Sequence, residues 1–115
     1  MPYLIFILLI SLQLTHITLA KPEFKMLIDQ KHPLIDVRTS EEFEAGTLEG
    51  ASNIDVKRDD FLEKISTLNK QDTLLLFCRS GRRSTRAAQI MDSLGFKNLF
   101  ELQGGYLEWI GVPKD

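Results

Sequence analysis

Thr73-Leu74-Leu75-Leu76-Phe77-Cys78-Arg79-Ser80-Gly81-Arg82-Arg83-Ser84 is the stretch on which the fold turns. Its first five residues form an apolar run too short for a helix and without polar alternation. Such a run suits a strand buried on both faces. A basic loop around Gly81 follows. From Ser84 onward, Ala87, Ile90, Met91 and Leu94 share one helical face, and the pattern stops at Gly95. A buried strand, a short loop and a helix are the opening of a parallel crossover unit.

The flanks extend this alternation in both directions. Asn98 to Leu102 reads as a further strand and Tyr106 to Ile110 as a last turn of helix. On the other side, Phe61, Ile65 and Leu68 fall at i, i+4 and i+7, so a helix is expected there, opened by Asp60 with Glu63. Ala51 to Val56 reads as a strand. Thr39 with Glu42 has the form of a capping box, predicting a helix that ends near Gly46. Leu34, Ile35 and Val37 form a strand after Pro33, and Phe24, Leu27 and Ile28 a short opening helix. Alternating strands and helices predict an α/β domain, with a small, largely parallel sheet flanked by helices on both faces.

A chain of 115 residues is enough for one domain. Its net charge of -2 argues against a general nucleic-acid binder, so functional positive charge has to be local. No cluster has metal-ligand spacing, and neither a metal nor a cofactor is expected. His32, beside Pro33, reads as a surface residue.

Leu4 to Leu14 is apolar except for Ser11 and Gln13, and Thr18 and Ala20 are small residues before the polar start at Lys21. This pattern reads as a secretory signal over residues 1–20, cut after Ala20, with the domain spanning 21–115 and lying in the periplasm or outside the cell. Met1, Pro2 and Tyr3 lack the usual basic residue. The alternative is an uncleaved anchor holding the domain outside the cytoplasm. As a helix, Leu4 to Leu19 would rise about 24 Å at 1.5 Å per residue, against about 30 Å of hydrocarbon. Contact with a membrane is expected only if the segment is retained.

Cys78 is the one cysteine, so it has no disulfide partner within the chain. It stands at the carboxyl end of a central strand, where open α/β sheets bind ligands. The loop leads into a helix N-terminus, whose amides form an anion site. Arg79, Arg82, Arg83 and Arg86 add positive charge, and Gly81 permits backbone angles closed to other residues. These surroundings are expected to lower the thiol pKa and make Cys78 a nucleophile.

Cys78-Arg79-Ser80-Gly81-Arg82-Arg83-Ser84 resembles the active-site loop of rhodanese domains. Ile35-Asp36-Val37-Arg38 looks like the family's strand motif. Glu42-Phe43 with Gly46 to Ile54 resembles its second signature, and Leu102-Gln103-Gly104-Gly105-Tyr106 with Trp109 its closing motif. The order of the four is also the family's. Among short exported members, the chain is similar to the periplasmic phage shock protein E type. It departs from the second signature at Thr47, where the family has His, and at Glu49, where it has Pro.

The resemblance implies a thiosulfate sulfurtransferase without cofactor. Cys78 would attack the outer sulfur of thiosulfate, release sulfite and hold a persulfide, which a thiophile such as cyanide or a thiol then takes. The loop from Arg79 through Ser80, Gly81, Arg82 and Arg83 to Ser84 would bind substrate. Its amides would stabilise the persulfide, with Arg79 and Arg83 on the sulfonate. Asp36 and Arg38 would support the loop from behind, or form an ordinary structural ion pair. Tyr106 and Trp109 would pack in the core or its rim. Two other functions fit a strand-cysteine-loop-helix unit. Cysteine phosphatases and some arsenate reductases have arginine sixth after the cysteine, a place Ser84 holds here. A sulfur carrier without turnover, or a binding module, is the non-enzymatic alternative.

Overall fold

The structure, a computed structural model, describes residues 15–113. At its centre lies the apolar run, now strand β4 (Thr73–Phe77). In chain order the other elements are β1 (His16–Leu19), α1 (Lys21–Asp29), β2 (Leu34–Asp36), α2 (Ser40–Ala45), β3 (Ser52–Asn53) and α3 (Phe61–Ile65) before it, with α4 (Arg82–Ser93), β5 (Asn98–Leu102) and α5 (Gly105–Ile110) after it. The five strands form one sheet in the order β1-β5-β4-β2-β3, and every pairing is parallel.

The period-2 geometry of β4 explains its composition. Leu74, Leu76 and Cys78 enter one core with Phe61 and Ile65 of α3 and Ala87, Ala88 and Met91 of α4. Leu75 and Phe77 enter the other, with Phe24 of α1, Leu48 and Leu102. With both faces covered, neither can be polar. Each of the leucine, isoleucine, phenylalanine and methionine side chains contributes roughly 1.5–3 kcal/mol by leaving water.

The capping box forms as expected: Thr39 Oγ1 accepts from the Glu42 amide at 3.2 Å, and the Thr39 amide donates to Glu42 Oε1 at 3.3 Å. The second capping pattern does not form. Asp60 makes no side-chain cap, and its carboxylate accepts from Arg58 Nε at 3.0 Å instead. The helix after it ends at Ile65, short of Leu68, and β3 covers only Ser52–Asn53 of the expected Ala51 to Val56. α4 starts at Arg82, two residues before Ser84, because Gly81 at φ +118° turns the chain sharply enough to open the helix there.

A strand precedes Lys21. His16–Leu19 is an edge strand paired in register with Leu99 to Leu102 of β5, and Leu19 packs into the α1-side core. Its short alternation is hidden in the sequence because it directly follows the longer apolar run. That run, Leu4 to Leu14, lies outside the described residues. Among the described residues, no helix is long and apolar enough to cross a membrane.

Candidate active site

Cys78 follows β4, one residue beyond the ladder, and is 1% exposed. The Gly81 amide donates to its Sγ at 3.0 Å. The only glycine of the loop, at φ +118°, is thus the residue whose amide meets the sulfur. From the other side the thiol meets the Ser84 hydroxyl, with Sγ and Oγ 3.6 Å apart.

The loop is also clamped from outside. The Tyr106 amide donates to the Cys78 carbonyl at 2.8 Å and the Leu107 amide to the Arg79 carbonyl at 3.1 Å. Both donors are free because they lie in the first turn of α5, where amides have no partner within the helix. The approach requires Gly105: a Cβ there would lie 2.5 Å from the Cys78 carbonyl oxygen.

Asp36 and Arg38 form a buried bidentate pair, 0% and 4% exposed, with Nε–Oδ1 at 3.0 Å and Nη2–Oδ2 at 2.8 Å. Arg38 Nη2 also donates to the Gly46 carbonyl at 2.6 Å, and its guanidinium stacks 4.4 Å from the Tyr106 ring. The pair thus joins β2 to the helix that clamps the cysteine loop. Thr47 donates to Asp36 Oδ2 at 3.0 Å, so this departure from the family pattern belongs to the same network. Tyr106 and Trp109 pack on the rim of the α1-side core.

The loop arginines divide into two kinds. Arg83, expected on the sulfonate, has both terminal nitrogens on Glu42, at 2.5 and 2.9 Å. This pair holds the Glu42 carboxyl down at about 2, chiefly through the Arg83 hydrogen bonds, while partial burial opposes the shift. Arg79, Arg82 and Arg86 are exposed and, among the described residues, make no ion pair. With Lys57 they line an open groove of about 880 Å³ floored by Val56 and Ile90. Ser84 is fully buried. Its hydroxyl meets the sulfur from within the fold.

Residues 21–111 match the family described as Rhodanese-like domain. The chain belongs to this family. Thiosulfate sulfurtransferase 18 of Arabidopsis thaliana is 36% identical over 98 residues, covering 75% of this chain and 72% of that protein. Thiosulfate sulfurtransferase 16, chloroplastic, of the same plant is 35% identical over 94 residues, covering 71% and 78%. Among solved structures, a human single-domain sulfurtransferase, TSTD1, superposes with a TM-score of 0.70 at 32% identity, over 84% of this chain and 97% of its own.

One residue of this rhodanese-like domain was not singled out from the sequence. Glu101 is 2% exposed, on the β5 register position beside Leu76 of β4. Its Oε1 accepts from Ser84 Oγ at 2.6 Å and from Thr85 Oγ1 at 3.0 Å, and its Oε2 meets His16 Nε2. A signal existed: a carboxylate within Asn98-Leu99-Phe100-Glu101-Leu102 is out of place in a buried strand unless it is paired.

Proposed function

We propose that this rhodanese-like domain is a thiosulfate sulfurtransferase whose sulfur passes through a persulfide on Cys78. The observation that carries the reading is the sulfur's setting: Sγ accepts the Gly81 amide at 3.0 Å at the end of a buried strand, in a loop whose unpaired arginines line an open groove. The relatives named thiosulfate sulfurtransferases support it.

Thiosulfate, an anion, is drawn to Arg79 and Arg82. The Cys78 thiolate attacks its outer sulfur. A new S–S bond forms at Sγ, the bond between the two sulfurs of thiosulfate breaks, and sulfite leaves with that electron pair. Cyanide or a thiolate then attacks the outer persulfide sulfur and Cys78 departs as thiolate, a two-step covalent cycle. The Gly81 amide favours the anionic sulfur at each stage. Thiosulfate as donor, and cyanide or a thiol as acceptor, rest on the relatives and on the basic groove.

Ser84, sixth after Cys78, weighs against phosphoester or arsenate chemistry. A small buried hydroxyl stands where an oxyanion-binding guanidinium would be needed. The apolar segment 4–14 supports export as the location, with any cut on the amino-terminal side of β1.

The test is mass spectrometry after incubation with thiosulfate. One added sulfur, about 32 Da, is expected on the parent and none on Cys78→Ser, with turnover to cyanide lost in the variant. A persulfide that forms but is not released to cyanide or thiols would make the protein a carrier. Turnover persisting in Cys78→Ser would overturn the mechanism.

A further inference from the structure

We propose that Glu101 takes the thiol proton of Cys78 through the Ser84 hydroxyl, so that the nucleophile is charged without loss of a proton to solvent. The proposal rests on Cys78 being the nucleophile and adds how it is activated.

The three groups form a continuous chain. The Cys78 thiol is positioned to donate to Ser84 Oγ, 3.6 Å away, and the Ser84 hydroxyl donates to Glu101 Oε1 at 2.6 Å. In one concerted shift the Sγ–H bond breaks as a new Oγ–H bond forms, and the old Oγ–H bond breaks as Oε1–H forms. The products are a thiolate and a neutral Glu101. The negative charge has moved from Oε1 to Sγ, where the Gly81 amide waits at 3.0 Å. Ser84 ends as it began, with one proton, now donated toward sulfur.

The surroundings suit both end states. His16 Nε2–H on Oε2 and Thr85 Oγ1–H near both oxygens can donate to the carboxyl whether or not Oε1 carries a proton. His16 from β1, Arg82 from α4 and Cys78 from the end of β4 are the titratable or charged groups facing Glu101; the turn after β5 contributes uncharged Gln103 and Gly104. At 2% exposure, the carboxylate is held by the Ser84 and Thr85 hydroxyls and by His16, the partners that a buried carboxyl requires. A buried carboxylate two bonds from a thiol would also oppose thiolate formation, unless it accepted the proton itself.

The test is the rate at which a small neutral alkylating reagent, iodoacetamide, modifies the folded full chain from about pH 5 to about pH 9, a direct measure of thiolate. No sulfur donor is needed, so failure of the sulfurtransferase reading leaves this test intact. The parent is expected to show a pH-independent shoulder on the acid side. Glu101→Gln keeps an acceptor for Ser84 but cannot hold the proton. It should lose the shoulder, react at least about tenfold more slowly near pH 5, and follow one simple titration. Ser84→Ala, which breaks the chain in its middle, should lose the shoulder equally, and the double variant should lose no more. If Glu101 is only structural, Glu101→Gln will react as fast as the parent or faster at every pH, since a buried negative charge has gone. That result, or a shoulder surviving in Ser84→Ala, overturns the proposal. Circular dichroism controls folding; should Glu101→Gln not fold, Ser84→Ala, which removes one buried oxygen, decides alone.

Discussion

The Tyr106 amide donates to the Cys78 carbonyl at 2.8 Å, so the helix nearest the carboxyl end of the described chain holds the strand end that carries Cys78. Gly105 makes this possible. Its φ is +63°, and an added Cβ would lie 2.5 Å from the Cys78 oxygen and 2.6 Å from the Arg79 oxygen. Gly105→Ala combines an unfavourable backbone region with a collision against backbone that cannot move without the loop. A loss of about 2 kcal/mol or more in urea unfolding is expected, and sulfur transfer should slow even where the variant remains folded.

Arg38→Met should be among the most destabilising single changes. It leaves Asp36 fully buried with only the Arg38 amide and Thr47 as donors. Removing one partner of a buried pair costs about 3–5 kcal/mol. Asp36→Leu combined with Arg38→Met removes both charges and should cost less than Arg38→Met alone, as urea midpoints at pH 7 would show.

The Arg83–Glu42 pair predicts an acid-sensitive contribution to stability. The folded carboxyl sits at about 2, below its ordinary 4.5. A depressed carboxyl stabilises the fold above its unfolded value, and that stability is lost as pH falls through the folded value. The parent should therefore lose stability between about 4.5 and about 2 that Glu42→Gln does not. The comparison is of urea midpoints at the two ends of that window. The variant also frees Arg83, so its affinity for thiosulfate is expected to rise or stay level.

The exposed cations should act on substrate capture more than on chemistry. Arg82→Ala with Arg86→Ala is expected to raise KM for thiosulfate by roughly three- to tenfold with a smaller change in kcat. Added salt should weaken thiosulfate binding in the parent, since the Debye length shrinks to about 8 Å at 0.15 M, and the salt dependence should be shallower in the double variant. Equal salt dependence in both would place anion capture elsewhere.

β1 bears on processing. A chain starting at Lys21 would lose the pairing of His16 to Leu19 with β5, the Leu19 packing and the His16 contact with Glu101. Burial of one such apolar side chain is worth about 1.5–3 kcal/mol. Thermal melts of chains starting at residue 15 and at Lys21 should show the shorter one less stable. N-terminal sequencing of exported protein should then find the cut before Thr15; a mature protein starting at Lys21 with an undiminished melt would show β1 to be dispensable.

Much of this molecule is written in local pattern. The continuous apolar run of β4 could only be a strand covered on both faces, because neither face offers a residue for water. The Thr39–Glu42 cap and the glycine that opens α4 are decided by neighbours a few residues apart. Cys78, standing alone at the end of that strand before a basic loop, marks the candidate site by itself. Asp60 shows the limit of such reading: the same spacing as Thr39 formed no cap, because a closer cation, Arg58, took its carboxylate. What only the tertiary structure decided lies across the sheet. Glu42 claims Arg83 from 41 residues away, and Glu101 meets Ser84 and His16 across 17 and 85. Parallel strands set His16 beside Glu101, and the helices α2 and α4 that follow β2 and β4 bring Glu42 to Arg83 and Ser84 to Glu101. Their pairing follows from register and burial, which no window of the sequence contains.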